Sequence, residues 1–329
     1  MDRIGVGFNP NLTPDTIAQH ARTAEEYHYD SLWVHEHPFI RDAVTLLSSA
    51  IAVTSAMKIG SGCISTVTRH PLLASTTFAV LNEISQGRTI MGIGLGGFPW
   101  LPKIGVNVFP TDENRPLKRV QEFLTITNGL LNGETVSLDG EFYKVKELKL
   151  ETKLFSKPLI YLATFGPRLL ALAGKLADGV IISPALMTPE ITAEKVKFVK
   201  QGTTSGKTID IASYILANVS ENVAKAETEV KSYYFLVYQV AEVFKPEVFE
   251  PYDLNEKDLA GVKEAWRKKD LAAAAKAMPD GVLEALTLTG NPDHCLERLK
   301  EYRRAGVDLP IIMPIGDVHT AIQTFATNT

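Results

Sequence analysis

The chain has 329 residues, of which 45% are hydrophobic and 22% charged, and this composition excludes a disordered or collagen-like protein. The 34 basic and 38 acidic residues give a formal net charge of -4, so no excess of positive charge favours nucleic acid or an anionic membrane surface. Apolar runs stay far below the roughly 20 residues of a membrane span. Two cysteines and an N-terminus without the pattern of a signal peptide predict a cytoplasmic protein that binds neither nucleic acid nor membrane.

Strands and helices are predicted to alternate along the chain. A short buried strand over 4–8 precedes a helix whose start is marked by Thr13 at the N-cap and Pro14 in the first turn. Further helices are predicted over 71–85 and 116–131. The remaining strands are predicted over 31–35, 58–63, 89–94, 159–163, 179–183, 209–216 and 309–314. Eight strands separated by helices predict a closed parallel TIM (β/α)8 barrel, with a doubly wound open sheet as the alternative.

Two stretches interrupt this alternation. Polar and apolar residues alternate over 134–150 around Asp139-Gly140, which predicts a β-hairpin insertion. Residues 221–288 have helical periodicity and predict a long helical insertion before the last βα unit. Because no linker rich in glycine, serine or proline separates these stretches from the rest, residues 1–329 are predicted to form a single domain.

Polar residues follow the second predicted strand, on the rim where barrel enzymes place their active sites. His35 and His37 alternate on one face of the strand, as two metal ligands would. No other strand end supplies a clear further set of ligands, so a metal is not predicted. The histidines are then either unremarkable polar residues at a strand end, or His37 and Glu36 line the barrel mouth, where an imidazole can transfer protons near neutral pH.

Glycines and a proline mark the other strand ends. Gly60 and Gly62 predict a bulge or a close backbone approach, and Cys63 beside them is expected to be a packed, structural thiol. The glycines over 92–97 resemble a phosphate loop only loosely. Pro167 opens a helix that faces the rim, whose N–H groups and positive dipole end suit a phosphate, although an ordinary proline-started helix is the alternative.

Several stretches taken together carry a family resemblance, namely 33–37, 68–71, 81–94, 166–180 and 290–308. In their order and spacing the chain resembles the bacterial-luciferase-like superfamily. Within it, the chain is most similar to the coenzyme F420-dependent branch, near methylenetetrahydromethanopterin reductase. The resemblance implies a TIM-like barrel that holds a deazaflavin or flavin on its C-terminal rim. It also implies a homodimer.

The resemblance assigns roles to particular residues. It places Glu36 and His37 beside the ring as the catalytic pair, and it implies a non-prolyl cis peptide at Gly62–Cys63 that braces the ring, with Ser65 alongside. The remaining residues would hold the ribityl phosphate: Gly94, Gly96, Gly97, Thr164, Phe165, Gly166 and Pro167. The implied activity is hydride transfer between coenzyme F420 and a small organic substrate.

The chain departs from the family pattern at three places. Glu36 replaces the usual aspartate, and Ser65 begins a segment that reads Ser-Thr-Val in place of Asn-Pro-Tyr. Gly7 stands where methylenetetrahydromethanopterin reductases carry a first-strand glutamate that acts near the substrate. This departure argues against that pterin activity but leaves the expected cofactor binding unchanged. The alternatives are a monooxygenase of the same fold that uses flavin mononucleotide (FMN) and oxygen, and a non-catalytic flavin- or deazaflavin-binding protein.

Overall fold

The computed structural model describes residues 2–96, 98–105, 114–182 and 186–326. Twelve strands are present in this part of the chain. They are β1 (Gly5–Phe8), β2 (Ser31–Val34), β3 (Lys58–Ser61), β4 (Ile64–Ser65), β5 (Thr89–Gly94), β6 (Val136–Asp139), β7 (Lys144–Leu148), β8 (Leu159–Thr164), β9 (Gly179–Ile182), β10 (Asp210–Val219), β11 (Thr287–Gly290) and β12 (Leu309–Pro314).

Eight parallel strands form a closed barrel. Strand β12 pairs with β1, and the order continues through β2, β3, β5, β8 and β9 to β10, which pairs with β12 again. The predicted TIM (β/α)8 barrel is therefore confirmed, and the open-sheet alternative is wrong. Strand β4 is a short addition beside β5, and β6 pairs with β7 as the predicted hairpin.

Helices connect the strands, and proline repeatedly sets their first turn. Helix α1 begins after Thr13, whose side chain accepts the Thr16 N–H, and α12 begins in the same way after Asn291. Of the described helices, none is both long and apolar enough to cross a bilayer. The helices are α1 (Pro14–Glu26), α2 (Ala43–Ile51), α3 (Pro71–Ile84), α4 (Asn114–Leu131), α5 (Pro167–Leu176), α6 (Pro189–Gly202), α7 (Val223–Lys231), α8 (Tyr234–Tyr238), α9 (Glu256–Arg267), α10 (Leu271–Ala277), α11 (Asp280–Leu286), α12 (Pro292–Arg304) and α13 (Val318–Ala326).

The end of the long insertion differs from the sequence prediction. Helices α7 to α11 confirm its helical character, but Thr287 and Leu288 belong to strand β11 and not to a helix. Strand β11 pairs with the second half of β10, from Leu216 to Val219. The prediction missed this strand because four residues that follow directly on a helix carry no separate periodic signal.

Spatial proximity groups the chain into two compact units. One comprises Met1–Val6, Ser183–Val196 and Ala212–Thr329, contains the helical insertion, and buries large side chains that include Tyr302, Phe249 and Phe325. The other comprises Gly7–Ile182 and Lys197–Ile211, contains β2 to β9, and buries Trp33, Tyr161, Phe78 and Phe123. The single domain over 1–329 stays a prediction.

Two pairs, each of an aromatic residue and a glycine on the adjacent strand, pack inside the second of these units. Trp33 on β2 lies opposite Gly60 on β3, and Tyr161 on β8 lies opposite Gly179 on β9. A Cβ on either glycine would lie about 2.5 Å from the facing ring, so only glycine fits at 60 and 179. The two rings pack together with centroids 5.5 Å apart, and the Trp33 Nε1–H donates to the Ser31 hydroxyl at 2.8 Å.

Candidate cofactor site

The candidate site gathers at the C-terminal ends of β2, β3, β5 and β8. These strands are consecutive neighbours in the barrel and run parallel. The residues that follow them, His37, Cys63, Gly96 and Gly166, therefore share one rim, as the sequence predicted.

Glu36, two residues beyond β2, is held by three hydrogen bonds. Its Oε2 accepts the backbone N–H of Ser65 at 3.0 Å. Its Oε1 accepts both Nε–H and Nη2–H of Arg69, at 2.9 and 2.6 Å. The carboxylate is only 11% exposed, so these bonds fix its position at the rim.

Asp42 extends this arrangement to helix α2. The Arg69 Nη2–H also donates to Asp42 Oδ2 at 2.6 Å, while Asp42 Oδ1 accepts the Thr45 N–H and so caps α2. Burial alone would raise the pKa of Asp42, but the hydrogen bonds from Thr45 and Arg69 lower it below its usual value. No role for Arg69 or Asp42 was predicted from the sequence. The only local signal is the N-cap spacing of Asp42 and Thr45.

The side-chain hydroxyl of Ser65 is hydrogen-bonded to neighbouring backbone groups. Its hydroxyl donates to the Leu95 carbonyl at 2.6 Å and accepts the Val67 N–H at 3.1 Å. The next residue, Thr66, donates its N–H to the Gly94 carbonyl at 2.8 Å. The segment after β4 is therefore tied to the end of β5, and a contact between Ser65 and a cofactor stays a prediction.

The peptide bond between Gly62 and Cys63 is cis, as the family resemblance implied. The Cys63 sulfur lies against Gly94, where a Cβ would approach Sγ to 2.6 Å. Burial of the thiol, and secondarily the charge of Glu36, raise the pKa of Cys63 to about 12. A thiol that stays protonated at neutral pH fits the predicted structural role and not that of a nucleophile.

The two histidines that flank Glu36 lie in different surroundings. Burial lowers the pKa of His35 to about 4, so its ring is neutral near pH 7. His37 is half-buried, and its ring meets the edge of Phe39 with centroids 6.0 Å apart. Phe39 is 54% exposed and adds apolar surface at the rim. Within the described ranges, no three His, Cys, Asp or Glu side chains form a group that could hold a metal ion.

Helix α5 begins shortly after the end of β8. Gly166 is the N-cap, Pro167 is the first helical residue, and no side chain in the described part of the chain caps the helix. Among the described residues, no atom lies within 4 Å of where a Cβ on Gly166 would stand, so there is open space beside this N-cap. Thr164 is buried and Phe165 is 43% exposed. Exposed N–H groups at a positive helix end are able to bind an anion.

The glycines after β5 have two kinds of role. Gly94 fits against Cys63 as described, and Gly96 has φ +97°, a backbone conformation that favours glycine. Gly97 lies outside the described residues. The structure thus brings Glu36, Cys63, Ser65 and Gly94 into direct contact, while the start of α5 follows on the next strand of the barrel.

A profile of the family described as luciferase-like monooxygenase matches residues 2–309. The chain belongs to this family. The luciferase-like family resemblance drawn from the sequence is therefore confirmed.

Several members of the luciferase-like family and a solved structure resemble the chain over almost its whole length. The 5,10-methylenetetrahydromethanopterin reductase of Archaeoglobus fulgidus is 29% identical over 322 residues, which cover 95% of this chain and 94% of the reductase. The F420-dependent glucose-6-phosphate dehydrogenase of Amycolatopsis mediterranei is 23% identical over 90% of this chain and 87% of the dehydrogenase. The structure of the coenzyme F420-dependent tetrahydromethanopterin reductase of Methanopyrus kandleri superposes with a TM-score of 0.88 at 23% identity, and covers 100% of this chain and 98% of that one.

Proposed function

We propose that this luciferase-like protein is a coenzyme F420-dependent oxidoreductase that transfers hydride between the deazaflavin and a small organic substrate. The observation that carries the proposal is the near full-length match to curated relatives of this type, a methylenetetrahydromethanopterin reductase and an F420-dependent dehydrogenase. Membership of the family alone would equally suit an oxygen-using flavin enzyme. The geometry of the rim supports the binding of a phosphate-bearing ring cofactor.

The start of α5 fits the phosphate of such a cofactor. No described side chain caps this helix, and no described atom lies within 4 Å of where a Cβ on Gly166 would stand, which leaves room for an anion at its positive end. We propose that Thr164, Phe165, Gly166 and Pro167 bind the phosphate. The proposed set also includes Gly94, Gly96 and Gly97, the last of which lies outside the described residues.

The end of β2 fits the polar edge of the ring. We propose that Glu36, His37, Gly62, Cys63 and Ser65 lie beside it. When bound, the deazaflavin would supply or accept the hydride. Glu36 already accepts three hydrogen bonds, so its task is to present a fixed negative charge and to orient its surroundings. The half-buried His37 is then the group that moves a proton to or from the substrate.

The substrate class is narrowed by Gly7. Gly7 on strand β1 occupies the position where the pterin reductases are expected to carry a glutamate, so this position of the chain provides no carboxylate. Methylenetetrahydromethanopterin reductase-like activity is therefore one form of the proposed function, and reduction or oxidation of another small molecule is the broader form. The FMN-dependent monooxygenase and the non-catalytic binding protein are the competing outcomes.

Titration of the purified protein with coenzyme F420 and, separately, with FMN distinguishes these functions. Trp33 lies in the interior of the same barrel strands whose ends form the site, so tryptophan fluorescence reports binding. We expect saturable binding of F420 and weaker binding of FMN. Tight binding of FMN without binding of F420 would overturn the proposed cofactor. F420 binding without turnover of any pterin, alcohol or sugar phosphate tried would favour the non-catalytic alternative.

We further propose that the enzyme is a cytoplasmic homodimer. Helix α3 exposes Leu73, Val80 and Ile84, which are 64%, 44% and 61% exposed and lie on one face of the helix at intervals of seven and four residues. A second copy of the chain would cover this apolar face. Light scattering at micromolar concentration should give the mass of a dimer, and Val80→Lys should give a monomer. A monomeric wild-type protein would contradict this.

A further inference from the structure

The hairpin β6–β7 reaches the candidate site through one buried side chain. The hydroxyl of Tyr143, in the turn of the hairpin, donates to the Thr66 carbonyl at 2.7 Å. Tyr143 is only 7% exposed, and its ring meets the edge of His70 with centroids 5.6 Å apart. The hairpin, which is an insertion into the barrel, thus makes a specific bond to the residue that follows Ser65.

The turn that carries Tyr143 is itself fixed to helix α4. The Glu122 carboxylate accepts the backbone N–H groups of residues 141, 142 and 143 at 2.9, 2.9 and 3.2 Å. A Cβ on Gly140 would lie 2.4 Å from Glu122 Oε2, so only glycine lets the turn approach this closely. Burial opposes the charge on Glu122, but the three N–H groups hold its pKa below its usual value. Tyr143 is therefore presented from a rigid base.

Thr66 transmits this contact to the residues that hold Glu36. The Thr66 N–H is bonded to the Gly94 carbonyl, and the neighbouring Ser65 N–H donates to Glu36. The Ser65 carbonyl accepts the N–H of Arg69, whose guanidinium binds the same carboxylate. The segment 65–69 thus provides all three hydrogen bonds to Glu36. Tyr143 is the contact that fixes this segment from the hairpin side.

We propose that Tyr143 is a positioning residue of the cofactor site, which acts through the segment 65–69 on Glu36. The inference rests on the proposed function in one respect, since it takes Glu36 to face the cofactor. Loss of the Tyr143 hydroxyl would leave the Thr66 carbonyl buried without its donor. The segment would then open more often, and Glu36 would hold its place less well.

The experiment compares Tyr143→Phe with Tyr302→Phe. Tyr302 is a matched control, because its hydroxyl is likewise buried and donates to a backbone carbonyl, that of Met187, at 2.9 Å. Tyr302→Phe loses one buried hydrogen bond, whereas Tyr143→Phe loses the bond to Thr66 and the interaction of its hydroxyl with Arg119, so it should lose at least as much thermal stability as the control. Hydrogen exchange of the apo-protein, read on peptides that span 62–70, then reports the local effect without any cofactor.

We expect Tyr143→Phe to speed amide exchange over 62–70 about fivefold and to weaken F420 binding by a similar factor, with a changed absorption spectrum of the bound cofactor. Tyr302→Phe should change none of the three. Glu122→Gln loosens the hairpin turn without substituting Tyr143 itself. It should change the exchange rate and the F420 affinity in the same direction as Tyr143→Phe. Unchanged exchange over 62–70 in Tyr143→Phe would overturn the proposal, as would faster exchange with unchanged F420 affinity and spectrum. If the wild-type protein does not bind F420, the proposed function fails, and the exchange data still decide whether Tyr143 fixes the segment.

Discussion

Two regions of the same rim are built in opposite ways. At the end of β2, the Glu36 carboxylate already accepts three hydrogen bonds from Ser65 and Arg69. At the end of β8, helix α5 begins with N–H groups that no described side chain caps. Three other helices that begin with proline, α1, α3 and α12, each have a side-chain cap, from Thr13, His70 and Asn291.

The difference separates a negative charge that belongs to the protein, at Glu36, from a negative charge that we propose a ligand brings, at the start of α5. A charge that must stay in one place before any ligand arrives is fixed in advance by the chain's own donors, at Glu36. At the start of α5 no described side chain occupies the N-cap position, and we propose that an incoming anion takes that place.

The largest effect is expected at His37, next to the fixed carboxylate. General acid–base groups supply about 10²- to 10⁴-fold in rate, so His37→Ala should reduce turnover within that range and change F420 affinity much less. The control is His294→Ala, which removes a histidine that pairs with Glu284 on another part of the chain. Near-full turnover of His37→Ala across pH 5 to 8, followed by F420 absorbance, would remove the proton-transfer role.

Acid pH should lower the free energy of unfolding of the protein through His35, the neighbour of Glu36. Its folded-state pKa of about 4 lies below the unfolded value of 6.5, so the unfolded state binds more protons between these values. The free energy of unfolding should therefore be constant above about pH 7 and fall by about 3 kcal/mol from pH 6.5 to 4. Urea unfolding of wild type and His35→Gln across this range isolates the contribution. Parallel pH profiles of the two proteins would contradict a His35 ring that stays neutral in the folded protein.

Arg69 tests how much the contact with Glu36 depends on geometry. Lysine keeps the positive charge but cannot donate from both Nε and Nη2, so Arg69→Lys should weaken F420 binding by about 1 to 2 kcal/mol. Asp42→Asn is the matched control, because the asparagine Oδ1 still caps α2, while its amide nitrogen in the place of Oδ2 cannot accept from Arg69, so only the outer contact is lost. Fluorescence titration should show a clear loss for the first variant and a small one for the second. No loss for Arg69→Lys together with a clear loss for Asp42→Asn would mean that net charge, and not geometry, sets the affinity.

The smallest effect is expected at the open helix end. Gly166→Asp and Gly166→Asn place side chains of equal size at the N-cap, where both stabilise the helix to a similar extent. Only aspartate brings a negative charge to the anion position, so it should weaken F420 binding about fivefold more than asparagine does. The difference should shrink at high salt. Equal affinities of the two variants would place the cofactor phosphate elsewhere.

The sequence predicted the elements of this contrast better than their connections. Buried runs and helix starts located the barrel strands to within a few residues, and Pro167 marked the open end of α5. Arg69 was missed because it lies 33 residues from Glu36, and Tyr143 because it lies 77 residues from Thr66. Such contacts depend on which strands become neighbours and on where an insertion folds back. The cis bond at Gly62–Cys63 was predicted from the family resemblance, since no local sequence pattern specifies it.

The glycines that face Trp33 and Tyr161 limit how the barrel interior can be redesigned. Each ring occupies the volume that a side chain at Gly60 or Gly179 would need, in the directly opposite register. Neither partner can therefore be exchanged alone. A larger residue at 60 collides with the indole, and a smaller residue at 33 leaves a cavity beside a bare backbone. Libraries that aim to reshape this barrel should vary 33 with 60 and 161 with 179 as coupled positions, because compensated double exchanges survive where single ones do not.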